Sequence, residues 1–329
     1  MKPEEVIADI VQANGGPCVM DKLHLPYDHS NSGPAAKFGL GVELYLPNVD
    51  RSVLREQARA FLLDYQQTFP GRVNEFLPAD SRRTVKLNGD LDARIRADYE
   101  KHPVDDGYGT SLFGKVDIGI PKDDVPPYQA HVLISRSTEE DLSFVTATMP
   151  VCGESTAPCF DTLRDAVLRW CKVCRPIHGS AGFALLFASG MSQNTRYALP
   201  LMKRFPGFDY IHGVDFSMQA RAVHNRIKCV NWLTVLGEEI VTELGGIEAI
   251  REALMPACLI HDYPGGVVIQ AGGAPQLGDT YRSDVPEAYR AVARITRPAR
   301  FEAYRSRLFR VPDNLDKKEE TLAWIRRFD

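Results

Sequence analysis

The sequence predicts an α+β fold, a mixed β-sheet packed with helices. Three observations lead there. Several short segments alternate apolar and polar residues and end at proline or paired turn residues, as strands do. Longer stretches repeat apolar residues every three to four positions, as amphipathic helices do. The strands fall both in close pairs and in strand–helix–strand order, which calls for hairpins and crossovers in one sheet.

Residues 1–14 read as a short helix stopped by Gly15-Gly16-Pro17, and 17–36 as a polar loop. Lys37–Leu46 alternates as a strand and Pro47 ends it. Arg51–Thr68 places Leu54, Ala58, Phe61, Leu62 and Tyr65 on one side of a helix, and Pro70-Gly71 stops it. A short helix is expected near Asp92–Glu100 and a strand over Leu112–Ile120. Tyr128–Ser135 and Leu142–Met149 form a hairpin around Thr138-Glu-Glu-Asp141. A helix over Phe160–Cys174 turns Leu163, Val167 and Trp170 inward. His178-Gly-Ser-Ala-Gly182 reads as a turn before a strand reaching Ala188, and a helix follows at Ser192–Arg204. Residues 205–226 are loop-rich. Leu259–His261 and Val267–Ala271 are short strands around Tyr263-Pro-Gly-Gly266. Helices close the chain at Pro286–Ala293 and Lys317–Phe328.

Between these lies the most regular stretch. Trp232, Leu236, Ile240 and Leu244 recur at four-residue steps and predict one helix, with Asn231 as its N-cap and Gly245-Gly246 as its left-handed close. Ile247, Ile250 and Leu254 continue into a second helix. The segment Ile227–Val230 fits either a first helical turn or the end of a strand. The element order suggests two related α/β halves: 1–152, and 153–329 with the Asn231–Leu254 helix pair. One continuous domain is the alternative. The break falls near 151–158, where Cys152-Gly-Glu-Ser-Thr-Ala-Pro158 interrupts the pattern.

Composition bounds the function. The chain has 329 residues, 44% hydrophobic and 25% charged, which is ordinary for a globular protein, and its net charge is −4. That balance argues against direct nucleic-acid binding, which needs a basic face. Met1-Lys-Pro-Glu-Glu-Val-Ile is acidic, unlike a secretion signal, and no apolar run approaches the roughly 20 residues of a membrane helix. A cytoplasmic protein is expected. Its seven cysteines then read as reduced thiols. Cys171-Lys-Val-Cys174 has metal spacing, but it lies on a helix and lacks a second pair.

Catalytic motifs are tested and fail. Gly39-Leu-Gly41 and Gly107-Tyr-Gly109 lack the third glycine of a dinucleotide fingerprint. Ser180 has glycine directly before it, not two places before, so it is no nucleophile elbow. Asp209, His212 and Asp215 could form an oxygen–nitrogen metal site, but a polar turn explains them. Asp313 and Asp316 are better helix caps than nuclease carboxylates. No cofactor and no resident metal is expected.

The string Val230-Asn-Trp-Leu-Thr-Val-Leu-Gly237, followed by the double glycine and paired with Trp324-Ile-Arg-Arg-Phe-Asp329, resembles the type VI secretion immunity family associated with VRR-type nuclease effectors. Gly207-Phe-Asp209, Gly213-Val-Asp215 and Gly39-Leu-Gly-Val-Glu-Leu-Tyr45 extend the resemblance. It implies a non-catalytic immunity protein whose partner is a cognate effector toxin; a hydrolase-like enzyme with an unrecognised site and an effector-loading adaptor are the alternatives. Residues 89–141 fit that implication. Twelve acids face six bases there, a local charge of −6. The acids include Asp90, Asp92, Asp98, Asp105, Asp106, Asp123, Asp124, Glu139, Glu140 and Asp141. With Tyr108 among them as an apolar anchor, they are the expected contact for a basic nuclease domain. Asn231, Trp232, Leu236, Gly245 and Gly246 are expected to be scaffold.

Overall fold

The computed structural model describes residues 7, 16–26, 34–114, 125–136, 141–188, 194–221 and 223–329. Their strands form one 12-stranded sheet. In chain order these are β1 (His24–Leu25), β2 (Ala36–Tyr45), β3 (Glu75–Leu77), β4 (Val85–Lys86), β5 (Tyr108–Phe113) and β6 (Gln129–Ile134). Then come β7 (Phe144–Met149), β8 (His178–Leu186), β9 (Asp209–Tyr210), β10 (Leu233–Gly237), β11 (Cys258–Tyr263) and β12 (Gly266–Ala271). The order across the sheet is β11-β12-β10-β8-β2-β7-β6-β5-β3-β4. All neighbours on that path are antiparallel; β9 adds a parallel pair to β8, so the sheet is mixed. The sheet continues across residues 152–153, because β2 lies between β7 and β8.

The helices are α1 (Arg51–Thr68), α2 (Leu91–Tyr99), α3 (Phe160–Cys174), α4 (Thr195–Arg204) and α5 (Gly213–Gln219). They continue with α6 (Glu238–Glu243), α7 (Ile247–Leu254), α8 (Glu287–Thr296) and α9 (Lys317–Ile325). Both α1 and α3 have the bounds the sequence predicts. In α1, Asp50 caps the first turn by accepting from Ser52 N at 2.7 Å. The two helices meet through Phe61 and Trp170, edge to face at 5.0 Å, and the Trp170 indole N–H donates to Asp64 at 2.7 Å. They cover the face of the sheet to which Phe183 points, where Phe160 packs on it. Asp316 caps α9 as expected.

Four expectations are corrected. The predicted helix from Asn231 is a strand followed by a helix: Leu233–Gly237 is β10, and only Glu238–Glu243 is helical. Every residue of β10 is buried, so its run is apolar on both faces and matches a four-residue period by coincidence. Asn231 is no cap; its side-chain oxygen accepts from the next residue, Trp232 N, at 2.7 Å. Gly245 and Gly246 do turn the chain with positive φ, 94° and 91°. Second, His178–Gly182 is no turn but the first half of β8. Its glycines serve close packing, since a Cβ on Gly182 would lie 2.3 Å from Asn231 Oδ1. Third, residues 205–226 contain β9 and α5, and 17–36 contains a 3₁₀ turn at Pro17–Lys22 and β1. Fourth, Cys18 and Cys152 are paired in a disulfide, not reduced. Asp21 reinforces that join by accepting the backbone N–H groups of Val151, Cys152 and Gly153 at 2.6–2.9 Å. The strand expected over Leu112–Ile120 ends at Phe113. Residues 115–120 and all of the predicted N-terminal helix except Ile7 lie outside the described residues.

Trp170 fills the α1–α3 contact with a ring and one hydrogen bond. Trp170→Ala should lower unfolding free energy by about 3–5 kcal/mol, and Trp170→Phe by less. Urea unfolding followed by circular dichroism would show both, and an unchanged midpoint in Trp170→Ala would refute the packing.

Candidate functional site

The acidic residues among the described ones do not form one patch. Asp90 caps α2, accepting from Asp92 N at 2.9 Å. Asp92 pairs with Arg59 at 2.6 Å and Arg96 at 3.3 Å; the bond from Arg59 chiefly holds its carboxyl below the usual range. Asp98 is buried and accepts from Ala79 N at 3.0 Å and the Tyr108 hydroxyl at 2.8 Å. Tyr108 is itself only 1% exposed, and burial, with Asp98 beside it, drives its hydroxyl pKa far up. These four are structural. Asp105, with a side chain 98% exposed, lies 3.6 Å from Arg51; Asp106 lies 3.7 Å from Arg136; Asp141 lies 2.8 Å from Arg221. Asp123, Asp124, Glu139 and Glu140 lie outside the described residues.

Register explains the division. Tyr108 pairs with Ile134, and Leu133 with Phe144. The chain near Asp105, Asp106, Arg136 and Asp141 therefore shares one edge of the sheet. Phe113 pairs with Gln129, which sends Gly114 and Val125 to the opposite edge. At the first edge each described acid has an arginine within 4 Å, so the surface is a mosaic of both signs.

The same register builds a feature the sequence reading missed. Ser111, His131, Thr146, Glu43, Ser180 and Thr234 are successive cross-strand partners from β5 through β6, β7, β2 and β8 to β10. They form one polar row across the sheet, on the face opposite α1 and α3. The row has a closed end and an open end.

At the closed end Lys228 is 3% exposed, and Glu43 and Asp209 are 0% exposed. The Lys228 ammonium contacts Glu43, lies 3.3 Å from Asp209, and donates to the Tyr210 carbonyl at 2.7 Å. Ser180 donates to Asp209 at 2.7 Å. Burial pushes the Asp209 carboxyl up, but Lys228, Arg327 and Ser180 together hold it below its ordinary value. Burial outweighs Lys228 at Glu43, whose pKa is raised, while the two carboxylates keep Lys228 protonated. The next row stacks Tyr45 on His178 at 4.4 Å, with Phe216 of α5 edge-on to both. Ser180, His178 and Asp209 are thus brought near one another but sealed. Each is at most 2% exposed.

At the open end Ser111, Gln129, His131, Thr146 and Thr148 floor a cleft of about 280 Å³, walled by Phe144, Phe187, Ile211, His212 and Val214. Ser111 Oγ and His131 Nδ1 lie 2.6 Å apart. Burial, helped by His212, pushes the His131 pKa down to about 4. His212 pairs with Asp215 at 2.8 Å, and the Tyr210 hydroxyl donates to the same carboxylate at 2.5 Å. Asp209, His212 and Asp215 form no single cluster. Asp209 belongs to the closed end; His212 lines the cleft, and Asp215 pairs with it.

Residues 65–328 match the family described as TsiV, type VI immunity for VRR-NUC. The chain belongs to this family. The resemblance carried by the Val230–Gly237 and Trp324–Asp329 strings is confirmed, and with it the type VI immunity role. The immunity protein also shares its fold with the Pseudomonas aeruginosa T6SS protein PA0821. The TM-score is 0.79 at 20% identity, covering 99% of this chain and 91% of that one. No curated protein sequence matches it. Among the described residues no helix is long and apolar enough to cross a membrane.

The strings that carried the resemblance now have physical roles. Val230–Gly237 supplies β10 and its approach, and Trp324 and Arg327 close the polar row. The Arg327 guanidinium stacks 3.9 Å from the Trp324 ring and donates to the Pro206 and Val230 carbonyls.

The closed end generates two stability predictions. Lys228→Met leaves two buried carboxylates without their cation and should cost about 3–5 kcal/mol in urea unfolding; a loss under about 1 kcal/mol would contradict the assigned pairing. The second concerns pH. Burial, then Lys228 and His224, push the His178 pKa down to about 3, whereas an unfolded imidazole takes a proton near 6.5. The unfolded state binds more protons below that pH. Stability is therefore complete above about pH 6.5 and declines as pH falls toward 3, by up to roughly 1.4 kcal/mol per unit from this residue. In His178→Asn the decline between about pH 6 and 4 should be shallower. Equal slopes in unfolding titrations of the two proteins would refute the assignment.

Proposed function

We propose that this immunity protein neutralises its cognate type VI effector by binding it and covering its working surface, without chemistry on the toxin. The family match over residues 65–328 carries this reading. The family's description, type VI immunity for VRR-NUC, supports a VRR-type nuclease as the partner, and a nuclease domain presents a basic surface for phosphates. The burial of His178, Ser180 and Asp209 supports a structural role for the groups that most resemble catalytic ones. The exposed carboxylate of Asp105 and the half-buried ones of Asp106 and Asp141, together with Asp123, Asp124, Glu139 and Glu140, are the proposed attraction for that basic surface. A nuclease threatens DNA, so neutralisation belongs in the cytoplasm.

The test is survival of bacteria producing the effector, with and without this protein, alongside a binding measurement. Rescue should persist in His178→Ala and Ser180→Ala wherever the protein still folds. Rescue lost while the complex still forms would instead point to an enzyme. Asp105→Lys with Asp106→Lys should slow association about 3–10-fold in low salt, and the difference should shrink at high salt. Stopped-flow rates that are unchanged at every salt concentration would remove these two residues from the contact.

A further inference from the structure

We propose that the open end of the polar row is an anchor pocket for one uncharged aromatic side chain, a tyrosine or tryptophan, projected by the effector. This rests on the binding role proposed above and adds the chemistry of the contact. The floor groups Ser111, Gln129, Thr146 and Thr148 are neutral hydrogen-bonding groups, and burial keeps His131 unprotonated until about pH 4. The ionisable neighbours are already engaged: His212 and Asp215 bind each other at 2.8 Å, and Tyr210 holds the same carboxylate. A lysine, arginine, carboxylate or phosphate entering here would lose water and meet no opposite charge. A phenol or indole meets the opposite situation. Its ring packs on Phe144, Phe187 and Ile211, and its O–H or N–H reaches the hydroxyl and amide row.

Size points the same way. About 280 Å³ falls below the roughly 300–1,000 Å³ of pockets that hold small molecules. It suits one side chain supplied by a larger partner. Tyrosine and tryptophan are the residues that most often carry binding energy in such desolvated sockets.

The experiment uses the full-length protein and its effector. Thr146→Phe and Val214→Trp each put a ring into the cleft. Where thermal unfolding shows the variant intact, the effector complex should weaken about 10–100-fold, mainly through faster dissociation. Thr146→Val keeps the shape, removes one hydroxyl, and should weaken it only a few-fold. Independently, p-cresol and indole titrated into the free wild-type protein should shift the His131 imidazole resonances. Benzoate and benzylammonium should not, and Thr146→Phe should abolish the response. Wild-type binding with unweakened filled variants would overturn the anchor pocket alone. A wild-type protein that never binds the effector would overturn the binding role instead, and the cresol and indole titration would still decide the pocket. Equal shifts from the charged analogues would also sink it.

Discussion

The structure turns on one ammonium group held without water. Lys228 joins four parts of the chain that are distant in sequence: Glu43 on β2, Asp209 and the Tyr210 carbonyl on β9, its own segment ahead of β10, and the C-terminal Trp324. Removing three charges from water is expensive, and their mutual attraction offsets that only where the geometry is good. The gain is a unique arrangement. A one-residue slip of β2 would send Glu43 to the face of α1 and α3 and set Val42 or Leu44 against Lys228. Such a slip would leave the ammonium and Asp209 without their partner. The buried triad thereby fixes register, and register builds the polar row.

The row gives its two ends different tasks with similar residue types. At the closed end charged groups are paired with one another inside the protein, and the surroundings are aromatic and sealed. At the open end the groups are neutral, the walls are apolar, and His131 is kept uncharged by the same burial that its neighbours share. A neutral lining can stay partly dry at modest cost, whereas an unpaired charge there would either recruit water or close the cleft. The cleft and the buried charges sit on adjacent strands, Thr146 on β7 beside Glu43 on β2, on one face of one sheet.

Sequence made the peripheral helices legible and the centre of the sheet illegible, for one physical reason. Helices α1 and α3 are wet on one side, so Leu54, Phe61, Leu163 and Trp170 stand out against polar neighbours, and caps and breakers mark their ends. Strands β8 and β10 are buried on both faces, so alternation vanishes. Trp232 and Leu236 then imitate a helix that continues into the real one at Ile240. The polar row was illegible because it depends on pairing between segments far apart in the chain. Ser111, His131, Thr146, Glu43 and Ser180 carry no signal individually. The Cys18–Cys152 pair, 134 residues apart, was hidden for the same reason. Family membership was legible because it is carried by local strings, whatever their conformation.

Charge counting shows the limit of composition as a guide to surfaces. The −6 balance of residues 89–141 is real as a sum, but antiparallel pairing of β5, β6 and β7 divides the segment between two edges of the sheet. Arginines from outside it, Arg51, Arg59 and Arg221, then meet Asp105, Asp92 and Asp141. Under the proposed binding role, what remains exposed would guide an approaching basic surface, because steering depends on net field over a distance and tolerates mixed signs nearby. Holding that surface is a different requirement, met by desolvated contacts at the centre of an interface and not by charges on its rim. A protein that must catch a toxin quickly and release it slowly needs both; in the reading proposed above, the carboxylates would serve the first and the cleft at His131 the second, through different residues.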